Sequence, residues 1–226
     1  MDADETIREP RQGGDGRAGR ELDRLVAFSD GVMAIAITLL VLKIEVPDFD
    51  GEPSVGDLAS AVVDLIPNIV TFAWSFLVVA RFWIVHRRLF SGLVRSDPRL
   101  TLMNTVFLLL IALLPFPADV LGRFGPSLLS IALFAGLIAL TGIVIAGMGR
   151  YAYRRPELIA SDIDPASIEQ DPLDQFFVPA VFLLSIGVAV VNADVAAYSW
   201  FLLALRRPVG QLRHRPPLTS TTPTGR

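Results

Sequence analysis

Residues 126 to 149 form a run of 24 residues without one charged side chain. As a helix rising 1.5 Å per residue this run would reach ~36 Å, more than the ~30 Å hydrocarbon core of a bilayer. Few features restrict a fold so strongly, because in lipid every backbone amide must find its partner inside the element that carries it. Similar runs recur along the chain. They cover Leu25 to Val46, Leu58 to about Val85, Leu100 to Gly122, Pro126 to Gly149 and Leu173 to Val191, with a sixth and shorter run from Val195 to Leu205. The sixth would span only ~16 Å unless it continues through Arg206, Arg207 and Pro208 with snorkelling side chains. Composition agrees, with 52% hydrophobic and 19% charged residues where a soluble domain has ~25% charged. The expected fold class is all-α, a polytopic membrane protein of six transmembrane helices.

The basic residues give that count an orientation. Eighteen of the twenty Lys and Arg fall before the first run, around the second connection, after the fourth run or after the sixth; only Lys43 and Arg123 fall on the other side. With the positive excess inside, both termini are expected in the cytoplasm and the chain in the cell membrane. Residues 1–22 are polar, Gly-rich and mixed in charge, and residues 208–226 are rich in Pro, Thr and Arg. Both read as disordered cytoplasmic tails flanking a transmembrane domain over 23–207.

Several function classes drop out. There is no cysteine, and of two histidines His214 lies in the C-terminal tail, so thiolate chemistry and a histidine metal cluster have no residues to work with. The spans hold no credible nucleophile or carboxylate pair. The expectation is a protein that is not an enzyme, has no resident cofactor or metal, and does not bind nucleic acid.

Within the spans, small residues at Ala132, Ala135, Gly136, Ala139, Gly142 and Ala146 mark close helix packing. Pro115, Pro117 and Pro179 predict kinks. The external connection carries Glu45, Asp48, Asp50, Glu52 and Asp57, either a solvated loop or a vestibule that concentrates cations, the loop being favoured.

Polar groups inside spans are costly and so mark sites. Asp30 lies inside the first run, with Arg24 one candidate partner and Trp83, His86 and Asn104 at similar depth on the next two spans. The alternative is that Ser29 and Asp30 cap a helix starting later, which leaves too few residues to cross. Phe28, Gly31, Ile35, Leu39 and Leu42 recur at spacings of three and four and share one face, with Asp30 nearly opposite. By itself such a stripe faces lipid or core far more often than it lines a pore.

The segment from Arg24 through Phe28, Ser29 and Asp30, followed by GVMAIAITLLVL, resembles the RxxxFSD signature of the bacterial TMEM175 family of potassium channels. The resemblance extends to SFLVVARFWIVH (75–86) and LLPFPADVLG (113–122). It implies a homotetramer whose first helices line a central pore, permeated by potassium ions. It further implies that Arg24, Phe28, Ser29 and Asp30 hold that helix against the next two spans through Trp83, His86 and Asn104. Ile35, Leu39 and Leu42 would then form successive apolar gating rings, with Thr38 as an adjacent hydroxyl contributing to selectivity. The short sixth run and Arg81 inside the second depart from the family pattern. A competing reading is a secondary transporter that uses Asp30 as a proton or cation site.

Overall fold

The computed structural model describes residues 13–45, 47–49, 51–161 and 172–200, with side chains described from residue 16 in the first helix and from residue 179 in the segment after 172. Its elements are α1 (Gly13–Val41), α2 (Val55–Asp64), α3 (Ile66–Ser91), α4 (Pro98–Leu113), α5 (Pro115–Phe124), α6 (Leu128–Tyr153), a 3-10 turn at Pro156–Leu158, α7 (Pro172–Ala189) and α8 (Ala193–Ser199). The described residues contain no named strand. A lone antiparallel bridge, Leu93 to Ile159, joins the α3–α4 connection to the segment after α6.

Four stretches are long and apolar enough to cross a bilayer: Gly16–Val41, Ile66–Ser91, Pro98–Phe124 and Leu128–Tyr153. Pro179–Ala189 is a shorter apolar helix. The expected sixth span falls on α8, seven residues long, and on residues 201–205, which lie outside the described residues, as does the expected tail over 208–226.

The boundaries differ from the sequence expectation in ways that local chemistry explains. The second span does not begin at Leu58. Ser54 and Asp57 form a reciprocal capping box, Ser54 N to Asp57 Oδ2 at 2.9 Å and Asp57 N to Ser54 Oγ at 3.2 Å, which starts a separate helix α2. Leu65 ends α2, and Pro67 near the start of α3 begins the membrane span proper. The third span is interrupted at Leu114, because Pro115 lacks the amide needed to continue the ladder. The first helix begins at Gly13, so residues 13–22, assigned from sequence to a disordered tail, are helical. Asp97 caps α4, accepting from Leu100 N at 2.7 Å with Pro98 directly following. Ser127 caps α6 after Gly125, whose φ of 69° favours a residue without Cβ.

α1 packs on α3 and α4, and α6 sits centrally against α4, α5 and α7. The closest approach is at Gly142 of α6, where a Cβ would lie 2.5 Å from Pro179 Cγ of α7. α7 runs through Pro179 as one helix. Ala135, Ala139, Gly142 and Ala146 are buried, whereas Ala132 and Gly136 of the same small-residue set are not. α8 folds back so that Trp200 lies 5.3 Å from the rings of both Phe134 and Phe182.

Candidate functional site

α1 has two unlike faces. Leu22, Ser29, Met33, Ala36 and Leu40 are buried, and their separations of seven, four, three and four residues place them on one side of the helix. On the other side Phe28 is 62% exposed, Ile35 60%, Leu39 42% and Leu42 68%. Gly31 and Thr38 are exposed between them.

The buried side is held by a polar chain through three helices. Ser29 Oγ donates to Leu25 O at 2.8 Å and accepts from Asn104 Nδ2 at 2.9 Å. Asn104 Oδ1 stands 2.9 Å from His86 Nε2. Since the Asn104 amide nitrogen faces Ser29, its oxygen is the acceptor and His86 Nε2 carries the proton. Ser29, His86 and Asn104 are all fully buried. The imidazole stacks on Phe90, centroids 4.3 Å apart, and on Phe107 at 5.4 Å, so the ring is fixed both by its plane and by its edge. A second link runs beside it. Trp83 Nε1 donates to Asp30 Oδ1 at 2.9 Å, and the Arg87 guanidinium lies 5.6 Å from the centre of the Trp83 ring.

The structure therefore brings Ser29, Asp30, Trp83, His86 and Asn104 together, but not Arg24 or Phe28. Arg24 is exposed and makes no ion pair among the described residues, so it is not the partner of Asp30. Phe28 lies on the exposed face with Ile35 and Leu42, because it stands two positions before Asp30 and a helix turns ~200° over that interval. Asp30 itself is exposed; the fully buried member of the FSD triplet is Ser29. The spacing of His86 and Phe90, four residues apart on α3, was the available sign of the stack that sequence reasoning missed.

The far end of α1 is tied by charge. Arg123 on α5 bonds Asp119 Oδ1 and Glu45 Oε1, each at 2.8 Å, and Lys43 Nζ lies 3.9 Å from Asp119. The two basic residues that the arginine count set apart thus meet in one cluster. It pairs the charge of Glu45, whereas Asp57, engaged by the capping box, stays exposed and ionised. The hydrogen bonds from Ser54 hold the Asp57 carboxyl below the usual range.

A bundle of apolar helices crossing a bilayer, with the first helix locked on one face and bare on the other, defines a multi-pass α-helical membrane protein. Residues 24–115 match the family model of the endosomal/lysosomal potassium channel TMEM175. A potassium channel from Chamaesiphon minutus is 30% identical over 188 residues, covering 82% of this chain and 92% of that relative. One from Streptomyces collinus is 30% identical over 189 residues, covering 82% and 90%. A crystal structure of a lysosomal potassium-selective channel TMEM175 homolog from Chamaesiphon minutus superposes with a TM-score of 0.69, at 30% identity, over 82% of this chain and 95% of that one. The chain belongs to the TMEM175 family.

Proposed function

We propose that four copies of this chain form a potassium channel in the cell membrane, with both termini cytoplasmic and the exposed face of α1 from each copy lining one central pore. The observation that carries this reading is the asymmetry of α1. A helix clamped to α3 and α4 through Ser29 and Asp30 has one orientation, and that orientation turns Ile35, Thr38, Leu39 and Leu42 away from its own subunit. The relatives named as potassium channels support the same assignment.

In a fourfold assembly Ile35, Leu39 and Leu42 each occur as a ring of four apolar side chains. Such rings offer no ligand to a cation, so they limit conduction by steric closure or by excluding water. Thr38 differs. Its hydroxyl proton is engaged by Ile35 O at 2.8 Å, which leaves oxygen lone pairs to face outward, as a partly dehydrated cation requires. Arg24 and Phe28 stand on the same face and would belong to the pore entrance instead of the clamp.

The test is the reversal potential under bi-ionic potassium and sodium in reconstituted bilayers. Ile35→Asn should raise current and weaken potassium preference. Thr38→Val should weaken preference without lowering assembly, and Thr38→Ser should restore it. Leu129→Asn, on an equally exposed face of α6, should change neither. Unchanged reversal potentials for both Ile35→Asn and Thr38→Val would remove this face from the pore. Ion flux without unitary current steps would favour a transporter working through Asp30.

A further inference from the structure

Tyr151, at the end of α6, lies under two arginines. The guanidinium carbon of Arg99 is 5.1 Å from the ring centre and that of Arg155 is 5.4 Å. The ring cannot turn away, because the Tyr151 hydroxyl donates to Asp97 Oδ2, the cap of α4. Arg155 also bonds Glu157 at 3.1 Å, and Arg95 Nε donates to Glu157 O at 2.6 Å. Arg150 and Arg154 are exposed beside this group and make no ion pair among the described residues. Three arginines, Arg95, Arg99 and Arg155, therefore gather around two carboxylates, Asp97 and Glu157, two of them are held in place by one aromatic ring, and Arg150 and Arg154 add two exposed charges within three residues of Tyr151 in sequence. Like charges are not collected and oriented without cost, and the surplus calls for an anion.

The surface below the cluster is apolar. Leu102, Val106 and Leu109 follow Arg99 at intervals of three, four and three residues, so they share its face of α4, and all three are exposed. From Arg99 to Leu109 the helix rises ~15 Å, half of a ~30 Å hydrocarbon core. On α6, Ile143 and Arg150 continue the same pattern of exposed apolar side chain and exposed cation.

We propose that the α4–α6 corner binds an anionic glycerophospholipid. Arg99 and Arg155 hold its phosphate, and an acyl chain lies along Leu102, Val106 and Leu109. The site rests on the membrane-spanning placement of α4 and α6 and is independent of ion conduction. A free phosphate would satisfy the arginines but would leave the apolar stripe without a ligand.

The purified full-length protein in neutral-lipid nanodiscs, exposed to phosphatidylglycerol with a photoreactive acyl chain, tests this by mapping the labelled peptides. Labelling should concentrate on residues 98–113 and 143–155. Unlabelled phosphatidylglycerol should compete about thirtyfold better than phosphatidylcholine, since each interfacial arginine contributes ~1 kcal/mol toward an anionic lipid. Inorganic phosphate should not compete. Arg99→Gln/Arg155→Gln should abolish the preference, Arg99→Lys/Arg155→Lys should retain part of it, and Arg17→Gln, far from the site in sequence, should not change it. The wild-type competition stands even if the double variant fails to fold. Equal competition by both lipids, displacement by phosphate alone, or labelling elsewhere because an adjacent copy covers the stripe would each overturn the proposal.

Discussion

Asn104 is the residue on which the clamp of α1 turns, since its one amide serves Ser29 with its nitrogen and His86 with its oxygen. Asn104→Leu keeps the branched four-atom shape, with bulkier methyl ends, but leaves the His86 N–H, fully buried between Phe90 and Phe107, with no acceptor. An orphaned buried donor costs ~1–3 kcal/mol, and for hydrogen bonds between membrane helices ~1–2 kcal/mol is the more apt range, because the chain unfolded in the membrane also finds partners. Ser29 contributes less, since its hydroxyl keeps Leu25 O. The expected loss is about 2 kcal/mol. The double variant Asn104→Leu/His86→Phe should be more stable than Asn104→Leu alone, because removing both partners leaves nothing unsatisfied and a phenyl ring can take the place of the imidazole in the stack. Thr141→Val is the control: among the described residues its buried hydroxyl bonds only Leu137 O of its own helix at 2.7 Å, and its loss should cost under ~1 kcal/mol. Unfolding by SDS titration in mixed micelles, followed by helical circular dichroism, measures all of these. If Asn104→Leu falls within about 0.5 kcal/mol of the wild type, or if the two substitutions simply add, the chain of hydrogen bonds is not what fixes α1.

Packing at the α6–α7 contact gives a sharper steric test. Gly142→Ala should destabilise by ~1–3 kcal/mol, as its methyl would meet Pro179, while Gly136→Ala, with open space around it, should be neutral or slightly stabilising in the same titration. For topology, single cysteines at Glu52 and Ser127 should react with an impermeant maleimide on intact cells, and those at Arg95 and Ser161 should not; labelling at Arg95 would overturn the assigned orientation. Asp97 supplies the pH dependence. Partial burial would raise its pKa, but the hydrogen bonds from Tyr151 and Leu100 N and the charge of Arg155 outweigh that and hold it below the ordinary 3.8. A depressed carboxylate stabilises the fold above its ordinary value and loses that contribution as pH falls through the folded one. The stability gap between wild type and Asp97→Asn should therefore be constant from pH 8 to about 5 and narrow below about 4; a gap unchanged down to pH 3 would contradict it.

Much of this protein is written in the order of its residues. The uncharged run over 126–149 dictates a membrane helix because no other open structure satisfies its backbone in lipid. The three- and four-residue spacing of Phe28, Ile35, Leu39 and Leu42 defines a face from helical geometry alone. The Ser54 and Asp57 spacing also carries a helix start that was open to reading, but hydropathy drew the second span from Leu58 straight through the α2–α3 break at Leu65. What hydropathy could not decide was which side of α1 is occupied; the polar residues and the family resemblance pointed to the Ser29 and Asp30 side, but not to which partners bond there. Both faces of that helix are apolar, and Met33 differs from Leu39 in nothing that periodicity can measure. The choice came from Asn104 and His86, 75 and 57 residues beyond Ser29, whose hydrogen bonds exist only once α3 and α4 pack on α1. The same holds for Arg24, which lies close to Asp30 in sequence yet faces another way, while Trp83, 53 residues distant, reaches its carboxylate. Distance along a helix is set by covalent geometry, but partnership between helices is set by packing, and packing is a property of the folded chain.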